Sequence, residues 1–172
     1  HFLKLENRKS KSVLGNFVSN SLLNWATFND LDLNSAQNKI EKTDPSFENL
    51  KNIQNAFLHC FYKSEKTEFF FRKLTSNKEI DFSRYNYFYA KYLVSEGKIN
   101  MAKKIINSSL ESYPRNLLLN QYKYDLINKN NDINFNCQNQ SHVVAEILYI
   151  TANALASQSV YKFSNFYLNL AK

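Results

Sequence analysis

The sequence is poor in the residues that make tight turns, with Gly 2 and Pro 2 in 172 residues. A β-sandwich or barrel needs a turn roughly every 8–12 residues, so the composition argues against that class. Cysteine is also scarce. Cys60 and Cys137 lie far apart and match no metal or redox spacing; they are read as two reduced, partly buried thiols. Gly-rich phosphate loops, His-Glu-x-x-His, Cys-x-x-Cys and nucleophile elbows are all missing. The acidic pair Asp30 and Asp32 falls in a predicted turn and reads as solvated caps. No catalytic residue, cofactor or metal site is therefore expected. No apolar run is long enough to span a bilayer, and no signal peptide is visible. His1 stands where an initiator Met would, so a truncated or processed start is expected. That leaves the compartment open between cytoplasm and periplasm, for a chain read as soluble.

What the sequence has is apolar substance and positive charge. Hydrophobic residues make up 44%, enough for one sizeable core or one short repeat array. The formal charge of +7 invites a nucleic-acid reading. The lysines are spread over every segment, however, and the only dense run is Arg8, Lys9 and Lys11. A solvated basic surface accounts for them better than a phosphate-tracking one.

Residues 83–116 organise the rest. Tyr89, Ala90 and Leu93 share one face of a predicted helix, and Met101, Ala102, Ile105, Ile106 and Ser109 share one face of the next. Gly97 lies between them, where positive φ is common. Pro114 ends the second helix, because the residue before proline is pushed out of the α region. Ala90 and Ala102 are small enough to let two helices approach closely.

The set Ala90, Leu93, Gly97, Ala102, Ile106, Ser109 and Pro114 resembles the tetratricopeptide repeat, a helix–turn–helix of about 34 residues. It departs from that pattern at Asn86, where the family usually carries a large apolar residue. A second copy is similar over 145–172, with Leu148, Ala152, Leu155, Ser164, Leu168 and Ala171 at matching places. Its proline would fall just beyond Lys172. The resemblance is thus to a fragment of a bacterial repeat protein that continues further. Phe163, Phe166 and Leu170 would then form an uncovered outer face, through which the chain could self-associate.

The remaining segments read as weaker pairs. Residues 12–28 and 34–43 are predicted helices within a degenerate pair at 12–45, with Trp25 a packing residue and Ser46 the N-cap of the next helix. A second degenerate pair covers 47–82. There Leu58, Phe61, Phe70 and Leu74 occupy matching places, Phe70 standing where a small residue is usual. His59 and Cys60 adjoin and point to different faces, which disfavours a shared metal site. Leu117–Asn128 is a first helix of an irregular repeat at 117–144. Its second helix is replaced by the polar, Asn-rich segment 129–141, either a plain excursion or a binding loop. Ser141 is placed to cap the long helix beginning near His142, itself read as an exposed first-turn residue.

The fold class is all-α. The resemblance implies an α-solenoid of stacked antiparallel helix hairpins forming a right-handed superhelix across 1–172. It also implies a non-catalytic scaffold or adaptor that binds a protein or peptide partner in a concave groove. The groove positions correspond here to Asn55, His59, Tyr62, Arg84, Tyr87, Lys91, Gln121, Asp125, Tyr149 and Asn153. The family's peptide-carboxylate clamp uses Lys and Asn where this chain has Asn55 and His59, and Asp125 adds a negative charge. An internal segment is therefore expected rather than a free acidic C-terminus. Two other classes remain open: a spacer or dimerisation segment of a larger protein, and an RNA or acidic-polymer binder.

Overall fold

The computed structural model describes residues 13–76, 81–128, 130 and 135–172. The readings of residues 1–11 and of the centre of the 129–141 segment lie outside these. The described residues are helical, with no strand among them. The helices are α1 (Val13–Thr27), α2 (Leu33–Glu41), α3 (Glu48–Phe61), α4 (Thr67–Thr75), α5 (Ser83–Ser95), α6 (Ile99–Ser112), α7 (Leu117–Asn128), α8 (Gln140–Ser157) and α9 (Tyr161–Leu170). They form two compact units. One comprises the chain up to Tyr62 together with Gln138–Lys172, and the other is Lys63–Cys137.

In the first unit α1 packs on α2 and α8, α3 packs on α2 and α8, and α8 and α9 form a close hairpin. Phe17, Val18 and Leu22 of α1 bury against Leu148 of α8. Trp25 is fully buried, edge-on to Phe28 at 5.0 Å and to Phe61 at 5.9 Å. Its Nε1–H donates to Gln54 Oε1 at 3.2 Å, and Gln54 Nε2 donates to Ser21 Oγ at 3.2 Å. Gln54 is 1% exposed, so both ends of a buried amide are satisfied within the α1–α3 seam.

Side-chain caps act at α2, at the turn before α3 and at α8. Asp32 Oδ1 accepts from the Ser35 N–H and opens α2. Before α3 the cap is Asp44, which accepts from Ser46 N–H at 2.8 Å and opens a 3-10 turn at Pro45–Phe47. Ser46 is therefore capped, not capping. The same correction holds at α8, where Asn139 Oδ1 accepts from Ser141 N–H at 3.0 Å. In both places the acceptor stands two residues earlier, because an Asp or Asn side chain reaches its own turn more readily than Ser does.

In the second unit each helix packs on its successor from α4 to α7, and α5 also packs on α7. Ala90, Leu93, Ala102 and Ile106 are fully buried in the α5–α6 hairpin. Asn86, the departure from the repeat pattern, is satisfied there: its Nδ2 donates to Ser109 Oγ at 3.0 Å. Phe71, not Phe70, is the buried ring of α4, and it stacks on Tyr89 at 5.4 Å. The one-residue shift in register leaves Phe69 exposed and Phe70 partly covered.

The two cysteines correct the sequence reading. Both are buried, and neither is a free thiol, each being disulfide-bonded. Spacing along the chain carries no sign of this, because a disulfide depends on proximity in the folded state. The denatured native chain should show no titratable thiol before reduction and two after it. Two thiols without reductant would overturn the assignment.

Hairpin turns close α5–α6 and α8–α9 by the same hydrogen bonds. Lys98 N–H donates to Leu93 C=O and Gly97 N–H to Val94 C=O; Val160 N–H donates to Leu155 C=O and Ser159 N–H to Ala156 C=O. Both are Schellman turns with a left-handed residue just past the helix. Gly97 has φ +73°, and Ser159 holds φ +61° without glycine's freedom. A Cβ on Gly97 would touch nothing within 4 Å, so only backbone strain opposes it. Gly97→Ala should cost about 1 kcal/mol and Ser159→Gly should gain up to about 1 kcal/mol. Thermal unfolding of the two variants should thus shift in opposite directions.

Candidate functional site

Among the ten groove positions, the structure brings one group together on the α5–α7 side of the second unit. Tyr87 meets Tyr122 edge-on, with centroids 5.0 Å apart. Lys91 Nζ sits 5.2 Å from the Tyr122 ring centre and 5.8 Å from that of Tyr87. One turn earlier Arg84 lies over Phe88 at 5.5 Å. Along α7, Gln121 Nε2 donates to Asp125 Oδ1 at 3.0 Å. Arg84 and Lys91 are half-buried and Gln121 is exposed, whereas Tyr87 and Tyr122 are buried beneath them. Burial, with the neighbouring Tyr87 and Asp125 side chains, pushes the Tyr122 phenol far above its usual range. It stays a neutral donor at any physiological pH.

The other positions are placed differently. Asn55 and His59 are 3% and 2% exposed within α3, all of whose residues from Ile53 to Cys60 are buried. Asn55 Nδ2 donates to Glu41 Oε1 at 3.0 Å. The Tyr62 hydroxyl lies 2.5 Å from Phe28 C=O and 2.8 Å from Leu31 C=O, tying the end of α3 to the turn after α1. Burial, with Asp32 nearby, raises its pKa. Tyr149 and Asn153 lie on α8, the first half-buried and the second exposed.

Helix α5 is held in place by a charged network that sequence reasoning missed. Arg72 Nε donates to the Tyr89 hydroxyl at 3.0 Å, and Tyr89 donates to Glu68 Oε2 at 3.2 Å. Arg72 Nη2 reaches the same carboxylate at 2.9 Å, and Lys98 Nζ pairs with Glu68 Oε1. Only the i, i+4 spacing of Glu68 and Arg72 was visible in the sequence. A further polar row also went unread: Asn16, Asn20 and Asn24, one turn apart on α1.

Among the described residues no group of three or more His, Cys, Asp or Glu could hold a metal ion. No described helix is long and apolar enough to cross a membrane. No family model, curated protein or solved structure matches the chain.

The Lys98 hydrogen bond, helped by Tyr89 and Arg72, holds the Glu68 carboxyl below its usual value. A depressed carboxylate contributes stability above its unfolded pKa of about 4.3 and loses it as pH falls through the folded value. Lys98 and Arg72 are well exposed, so the contribution is about 1 kcal/mol or less. Glu68→Gln should melt below the native chain at pH 7. The gap should close in melting curves recorded at progressively lower pH beneath the carboxylate range.

Proposed function

We propose that the second unit is a helical-hairpin array of tetratricopeptide type, stacked as an α-solenoid, and that the chain acts as a non-catalytic scaffold that binds a segment of a protein partner. The packing of the second unit carries this reading. Each helix there lies against its successor, and α5 also lies against α7, first helix against first helix. That is the neighbour pattern of stacked hairpins. It is supported by the close α5–α6 hairpin, with its small buried residues and left-handed Gly97 turn.

The partner face is Arg84, Lys91, Gln121 and Asp125, over the buried pair Tyr87 and Tyr122. A cation on an aromatic floor beside an amide–carboxylate pair suits a segment offering an acidic or carbonyl group and one apolar side chain. The disulfide-bonded cysteines favour an oxidising compartment such as the periplasm.

A second reading, association of the chain with itself, is favoured by one observation. Phe163, Phe166 and Leu170 lie about one turn apart on α9 and are 58%, 55% and 53% exposed.

The test is a Lys91→Glu, Gln121→Ala chain, which leaves the buried tyrosines in place; losing the Lys91 contact with their rings should cost about 1–2 kcal/mol, so its fold is checked by circular dichroism and binding is compared well below its melting point. It should lose proteins that co-purify with the native chain. Retention of all of them would move the interaction off this face. Loss of oligomer in a Phe163→Ser, Phe166→Ser chain, by light scattering, would select the second reading.

A further inference from the structure

In the first unit a cavity of about 540 Å³ opens between α1 and the end of α2 with the turn after it. Its wall on α1 carries Asn16, Asn20 and Asn24 beside Val13, Phe17 and Ser21. Asn16 and Asn20 are exposed and Asn24 is half-buried. Among the described residues none offers a hydrogen bond to any of these three side-chain amides. Asparagine is abundant along the whole chain, so its presence alone signals nothing; the convergence of three unengaged amides on one cavity does.

We propose that this cavity takes an extended peptide segment and holds it by its main chain. The geometry decides the ligand class. Four residues of helix advance about 6 Å along the axis, and two residues of an extended strand advance about 6.7 Å. Three asparagines one turn apart therefore meet every second residue of a strand with a mismatch of less than about 1 Å per step, which side-chain rotation absorbs. Each amide offers one acceptor and two donors, matching the N–H and C=O of one strand residue.

The rest of the wall sets a modest side-chain preference. Phe47, stacked on Phe17 at 4.6 Å, gives an apolar floor. Lys42 is exposed on the rim, while Lys39 Nζ donates to Thr27 Oγ1 at 3.2 Å. Asp44 also lines the cavity but is engaged by Ser46 N–H. Lys42 and Lys39 together set two cations against the Asp44 carboxylate, a small positive excess that favours an acidic side chain there. It is too little positive charge, beside a carboxylate, to hold a polyphosphate or a nucleic acid.

This site shares no residue with the α5–α7 face and does not rest on the tetratricopeptide reading. The probe is a displayed library of random dodecapeptides selected on the whole chain and counter-selected on an Asn16→Ala, Asn20→Ala, Asn24→Ala chain. These positions are exposed or half-exposed, so the triple variant should keep the native circular dichroism. Asn20→Asp serves as a milder second variant.

Enriched peptides should lose about fivefold to tenfold in affinity with each single Asn→Ala change, one main-chain pair being removed each time. N-methylation at alternate residues of a selected peptide should abolish binding, while alanine at those residues should cost less. The Lys91→Glu, Gln121→Ala chain should bind the same peptides as native. Three results would overturn the proposal: no enrichment over the triple variant, tolerance of N-methylation at every position, or full competition by inorganic phosphate or poly(U) RNA.

Discussion

The constraint on which most of this structure depends is that polar side chains caught in helix seams must find partners. The chain is rich in amides and poor in glycine, so its helices do not approach on bare backbone alone. Gln54 is the clearest case. It is buried under α1, and it is tolerated because Trp25 donates to its oxygen and its nitrogen donates to Ser21. A buried amide with either end unpaired costs about 1–3 kcal/mol, enough to matter in a domain of marginal stability. Asn86 and Ser109 solve the same problem across α5–α6, and Asn116 does so between helices, donating to Ser83 Oγ while its own oxygen accepts from Leu119 N–H. These pairs also fix register, since a slip of one turn would leave the amides unmatched.

That pairing has a mechanical consequence. Helices locked by satisfied seams present rigid outer faces, and binding to a rigid face loses less conformational entropy. The α5–α7 face fits this description: α5 is fixed from below by the Arg72–Tyr89–Glu68–Lys98 network and from the side by the Tyr87–Tyr122 contact. Polar groups within seams are mostly consumed by structure, as the Asn55 amide N–H is by Glu41, while its buried Oδ1 has no partner among the described residues. Polar groups that remain unengaged, as along the Asn16–Asn24 row, are what the molecule has left to offer a ligand.

The first unit is built from both ends of the described chain. α1 packs against α8, well over a hundred residues later, and its residues Phe17, Val18 and Leu22 are covered partly by Leu148. In a strictly linear stack each repeat meets only its neighbours, and α1 would meet α2 and α3 alone. The return of the α8–α9 hairpin onto α1 makes burial of the first helix depend on the last hairpin.

Much of the local structure was legible in the residues. The paucity of glycine and proline, with the apolar period of about 3.6, determined an all-helical chain. Leu117–Asn128 is helical over the very span its pattern predicts, and the positive φ of Gly97 follows from its place between two apolar stripes. These are consequences of short-range sterics and of one-sided burial, which act within a dozen residues. The disulfide-bonded state of Cys60 and Cys137, the burial of Asn55 and His59, the choice of Phe71 over Phe70 and the α1–α8 contact were decided only by tertiary structure. Each depends on which distant surface comes to lie against a given face, and no spacing within one helix records that.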